Sequence, residues 1–66
     1  MSSIGNKIKT IREQRKMTIE ELAIKIRVGK HTIENYESGL KQPNNQTILR
    51  LSTVLDIPAS ELINGK

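Results

Sequence analysis

Four polar side chains at helical spacing carry the chemistry this chain can offer: Lys30, His31, Glu34 and Asn35. On a helix, His31 and Asn35 fall one turn apart on one face, with Glu34 beside them. Lys30 can donate to guanine O6 and N7, and the Asn35 amide can bond adenine N6 and N7 together. His31 can donate to guanine N7 or to a phosphate. Glu34 can accept from cytosine N4 or support Lys30 four residues away. Thr32, at the flank, can reach a phosphate or a thymine methyl. No Ser–His–acid order, glycine-rich phosphate loop or paired-carboxylate pocket stands out, so no enzymatic activity is expected. With one His and no Cys in the chain, neither a metal site nor a cofactor is expected.

These side chains need a helix that turns its apolar residues inward. Lys30–Ser38 supplies that pattern. With Ile33 as the inward direction at 100° per residue, Tyr36, Glu37 and Leu40 fall within about 60° of it, and His31 and Asn35 lie opposite. Gly39 then ends the helix as a C-terminal cap, and Pro43 blocks any continuation. Before it, Ile19–Ile26 reads as a short helix with Leu22, Ala23 and Ile26 inward. Thr18 and Glu21 form a capping box at its start, with Met17 placed to pack back as a staple. Arg27-Val28-Gly29 is the joint between the two. Two short helices meeting at a tight joint, the second with a free polar face, place side chains in a DNA groove.

The remaining elements build the support. Ile4, Ile8 and Ile11 mark a helix over about Ile4–Arg15. Asn44 caps a fourth helix, about Asn45–Leu55, striped by Ile48, Leu51 and Leu55. A last short helix, about Pro58–Ile63, is held by Leu62, with Pro tolerated in its first turn. There are no repeats and no linker. A chain of 66 residues is expected to be one domain, over residues 1–66, with the helix pair at about 18–38. At this length only about 60% of the unfolded surface is buried.

With a single aromatic residue, Tyr36, the core must be aliphatic. No apolar run approaches the roughly 18 residues of a membrane span, and the first residues have no signal-like apolar region. A cytoplasmic, nucleoid-associated location is expected. The net charge of +4 is uneven. Residues 1–31 carry eight cationic side chains against three carboxylates, and residues 32–66 carry three against four. A basic bias at one end suits a polyanion surface, although ordinary solubilising charge would look the same.

The ordered set of Ile8, Ile11 and Arg12, Leu22-Ala23, Val28, Thr32-Ile33, Glu37-Ser38-Gly39, Pro43, Leu51, Leu55 and Glu61-Leu62 resembles the helix-turn-helix family of phage repressors, Cro proteins and XRE-type regulators. The resemblance runs from about Ile4 to Ile63. It implies an all-α, compact five-helix bundle of the phage-repressor DNA-binding type, with helix three as the reader of double-stranded DNA. It implies base contacts from the start of that helix, hence from Lys30, His31, Glu34 and Asn35. It implies backbone contacts from Thr18, Lys41 and Gln42 and from the amides after Gly39; Thr32, at the flank, and Asn44 with Asn45 can add to them. It also implies that Arg12 meets Glu37 in a structural ion pair fixing helix one on helix three. Two departures stand out. Ile19 occupies a position where the family usually has Gln, and Arg27 stands where it usually has Gly, with Gly29 in place of a small capping residue. A left-handed Arg27 would cost on the order of 1 kcal/mol.

The function expected is a sequence-specific transcriptional regulator, a repressor by family habit. One reading helix contacts too few bases, each worth about 1–3 kcal/mol, so a homodimer is expected. Leu49, Val54, Ile57 and Ile63 are its candidate interface, or else extra core. The competing expectation is a protein-interaction module, such as an antitoxin or accessory factor, docking through exposed Ile19 and Ile24. RNA binding is disfavoured because there is no aromatic stacking platform.

Overall fold

Three of the helices begin or end on caps that the sequence spells out. In the computed structural model, which describes residues 4–64, the helices are α1 (Ile4–Gln14), α2 (Ile19–Ile26), α3 (Lys30–Ser38), α4 (Asn45–Leu55) and α5 (Ala59–Asn64). There is no strand among the described residues, as the apolar spacings require. At the start of α2, the Glu21 amide donates to Thr18 Oγ1 at 3.0 Å, and the Thr18 amide donates to Glu21 Oε1 at 2.8 Å. The capping box therefore satisfies two donors that the helix cannot. At the start of α4, the Thr47 amide donates to Asn44 Oδ1 at 2.8 Å. Gly39, at φ +87°, closes α3.

The other helix ends use left-handed residues that are not glycine. Lys16, Arg27 and Asp56 have φ of 57°, 61° and 58°. Each lets the next amide reach back along its helix: Met17 to the Arg12 carbonyl at 3.0 Å, Val28 to that of Ala23 at 2.9 Å and Ile57 to that of Ser52 at 3.0 Å. The hydrogen bonds fill carbonyls that a helix end leaves orphaned. The family comparison in the sequence singled out Arg27 alone; Lys16 and Asp56 carry no such signal.

The core runs through all five helices. Ile8, Leu22, Ile26, Ile33, Leu51, Leu55 and Leu62 are fully buried, and Ile11, Ala23, Tyr36 and Ile48 nearly so. α1 lies on α3, α2 packs on α3 and α4, and α5 closes against α4 and α1. Ile19 is half-buried and packs against this core, as do Met17, Val28, Val54, Ile57 and Ala59. Ile19 is therefore not the bare apolar side chain that the docking expectation needs, whereas Ile24 is 76% exposed.

Two features depart from the helical projection. Leu40 was placed near the inward side of α3 but is 79% exposed. The helix stops at Ser38, and the left-handed Gly39 redirects the chain, so 100° per residue no longer applies. Gly5 is buried where α1 crosses α3. A methyl group there would run into the Tyr36 carbonyl oxygen and press on that of Glu37. The glycine thus sets how closely the two helices approach.

Candidate nucleic-acid interface

α3 is held by its inner residues and leaves its polar ones outward. Ile33 and Tyr36 are buried, while the His31 side chain is 94% exposed. Lys30 is exposed and Asn35 half-buried. The Asn35 side-chain amide makes no hydrogen bond among the described residues, so both its donors and its acceptor are free. The Lys30 ammonium lies 4.0 Å from a Glu20 carboxylate oxygen on α2. Glu34 Oε1 sits 3.2 Å from His31 Nδ1. Glu34 therefore supports His31 rather than Lys30, and Glu20, absent from the expected set, is the neighbour that steadies Lys30. The reason is geometric. The joint brings the first turns of α2 and α3 together, and only a tertiary corner can do that.

The corner depends on the ion pair between Arg12 and Glu37. Arg12 Nε donates to Glu37 Oε2 at 2.7 Å and Nη2 donates to Oε1 at 3.2 Å, while Nη1 donates to the Met17 carbonyl at 2.7 Å. The fork satisfies both carboxylate oxygens, which is why an arginine suits the position better than a lysine. The two side chains are only 9% and 8% exposed. The hydrogen bond to Glu37 pushes the already high Arg12 pKa further up, against the opposing effect of burial. One guanidinium thus ties the end of α1 to α3 and to the entry of α2.

The expected backbone-contacting residues lie around the starts of α2 and α4. The Thr18 and Asn44 oxygens are used as caps, which leaves the Thr18 hydroxyl proton and the Asn44 amide protons available to an outside acceptor. Lys41 is exposed on the link between α3 and α4, and Thr32 is half-buried on α3. Gln42 is also exposed, but it lines a groove of about 370 Å³ with Ile4, Pro43, Asn45, Ile48 and Ile63. Of the four interface candidates, Leu49 and Ile63 are 59% and 60% exposed. Val54 and Ile57 are half-buried against the core. Among the described residues, no three of His, Cys, Asp and Glu group to hold a metal ion. No helix there is long and apolar enough to cross a membrane.

Five helices, with α2 and α3 meeting at a left-handed corner and α3 presenting a polar outer face, define a helix-turn-helix domain. A family model described as "Helix-turn-helix domain" matches residues 5–66. The chain belongs to that family. It is 36% identical over 60 residues to the cryptic phage CTXphi transcriptional repressor RstR of Vibrio cholerae, covering 91% of this chain and 54% of that protein. The chain spans about half the length of such curated relatives, 48% in the case of a Bacillus subtilis regulator, ImmR.

Among solved structures, the biofilm regulator SinR in complex with DNA superposes with a TM-score of 0.85 at 33% identity, covering 91% of this chain and 97% of that one. SinR is a Bacillus subtilis protein. In its complex with the SinI protein it gives a TM-score of 0.86 at 32% identity, covering 92% and 60%. The P22 c2 repressor bound to a synthetic operator gives 0.93 over the whole of both chains at 24% identity, a likeness of fold alone. The fold is that of phage-repressor DNA-binding domains, as the resemblance in the sequence implied.

Proposed function

We propose that this chain is a sequence-specific DNA-binding transcriptional regulator, a repressor, that reads an operator major groove with α3 and works as a homodimer. The observation that carries the reading is the division of α3. Ile33 and Tyr36 anchor it in the core, and Lys30, His31 and Asn35 stand on its outer side with polar atoms to spare. The similarity to RstR and to DNA-bound SinR supports it. Lys30 and Asn35 make the base contacts, His31 and Glu34 work as a pair, and Thr18, Thr32, Lys41, Gln42 and Asn44 hold phosphates. The chain acts by binding rather than by catalysis and works in the compartment that holds DNA.

The test is selection of bound duplexes from a random pool at moderate salt. A preferred half-site is expected, and Lys30→Ala with Asn35→Ala should erase the preference, each contact being worth about 1–3 kcal/mol of discrimination. Equal binding to every duplex would sink the proposal.

A second reading, a module that holds a partner protein, is favoured by one observation. Ile24 on α2 and Leu40 beyond α3 are large apolar side chains left three-quarters or more exposed. The solved pairing of SinR with SinI lends it support. A stoichiometric partner lost on Ile24→Lys, with operator binding intact, would separate this role from the first.

A further inference from the structure

The end of α2 and the middle of α4 make a second basic feature that base reading does not use. Lys25, Ile26, Arg27 and Arg50 line an open depression of about 270 Å³. Three cations share it, and among the described residues no carboxylate does. Among the described residues none of the three is in an ion pair, unlike Arg12 and Lys30. Arg50 Nη1 is tethered at 3.4 Å to the Ile26 carbonyl, which fixes the guanidinium at the rim with its other donors unspent. Arg27 holds the left-handed conformation at φ 61°, where a glycine would sit without strain.

We propose that Lys25, Arg27 and Arg50 form a binding site for a phosphate oxyanion. Like charges held together by the fold repel, and an anion between them relieves that repulsion. Two arginine forks and an ammonium can meet several oxygens of a tetrahedral phosphate. The end of a helix ordinarily repels anions through its free carbonyls. Here three of the last four carbonyls are engaged: the Arg27 amide donates to Ala23 and Ile24, the Val28 amide to Ala23, and Arg50 to Ile26. The phosphate comes either from the backbone of a bound duplex or from a free phosphorylated molecule. The depression is separate from the face of α3 that carries His31 and Asn35, so the site stands whether or not that face reads bases.

Two arms test it, with Arg27→Gly, Arg50→Gln and a charge-matched control, Lys9→Gln. Glycine accepts the backbone angles at position 27, and Arg50 is an exposed residue of α4 where glutamine is a good helix former, so both variants should fold. In the first arm, inorganic phosphate is titrated while amide resonances are followed, with chloride at equal ionic strength as reference. Saturable shifts at residues 25–28 and at Arg50, lost in both variants and kept in Lys9→Gln, would identify a free-phosphate site. In the second, the salt dependence of duplex binding is measured. A log–log slope shallower by about 0.9 in each variant than in the control would place a duplex phosphate in the depression. Either result supports the site. No phosphate-specific shifts together with slopes equal to the control would overturn it. Lys30→Ala with Asn35→Ala should leave the phosphate shifts in place, which separates this site from base reading.

Discussion

At the scale of single residues, Arg12 and Glu37 show how a polar contact can govern a fold. Both side chains are more than nine-tenths buried, and each satisfies the other. Removing one strands the other's charge in the interior, which typically costs about 3–5 kcal/mol. Removing both strands no charge and leaves a packing defect and a Met17 carbonyl without its arginine donor. Arg12→Met and Glu37→Leu should therefore each destabilise the domain strongly in a denaturant melt, and the double variant should recover part of the loss. Additive losses would show that the pair is worth nothing as a pair. Because the Arg12 pKa is pushed upward, the pair's stabilisation from this side is fully present below the ordinary arginine pKa. It would fade only at strongly alkaline pH, so arginine deprotonation should add no pH dependence between about pH 5 and 9. Asn35 makes the opposite case. Its carbonyl accepts from Ser38 and Lys41, but its side chain makes no hydrogen bond within the domain, so Asn35→Ala should leave the melting curve in place while weakening preference for one base pair.

At the scale of elements, the helix ends and one crossing decide the geometry. Ala is a better helix former than Gly by roughly 0.8–1.0 kcal/mol, so Gly5→Ala on an isolated α1 would stabilise it. In the folded chain the added methyl meets the Tyr36 backbone carbonyl, which cannot rotate away. Overpacking of that kind costs about 1–3 kcal/mol. The substitution should lower the melting temperature, and a rise would mean that α1 and α3 do not cross as closely as described. Leu40 belongs to the same scale. Its exposure follows from where α3 stops, and Pro43, itself buried, anchors the link to α4.

At the scale of the whole molecule, the described chain measures 26 × 24 × 22 Å. Two such bodies fit side by side on half-sites about 34 Å apart, one helical turn of duplex. Leu49 and Ile63 are the exposed pair among the interface candidates. Leu49→Lys with Ile63→Lys should keep the fold and shift sedimentation toward the monomer, with weaker binding to a two-half-site operator. An unchanged oligomeric state would move the interface elsewhere. Val54 and Ile57, packed on the core, should instead report on stability.

Periodicity was enough to mark the helices to within a residue or so, because aliphatic residues at i, i+4 and i+7 have one way to hide from water. Caps at Thr18 and Asn44, the split of α3 into inner and outer residues, and the basic first half were all legible for similarly local reasons. The Arg12–Glu37 pairing was legible only through family likeness, since 25 residues separate the partners. The remaining features escaped because they depend on which helix lies against which. Glu20 steadies Lys30 across a corner, Gly5 matters only beneath Tyr36, and Lys25 and Arg27 meet Arg50 only after α2 packs on α4. Contacts within a helix follow from its pitch; contacts between helices wait on the crossing of two surfaces, and no single stretch of chain encodes that.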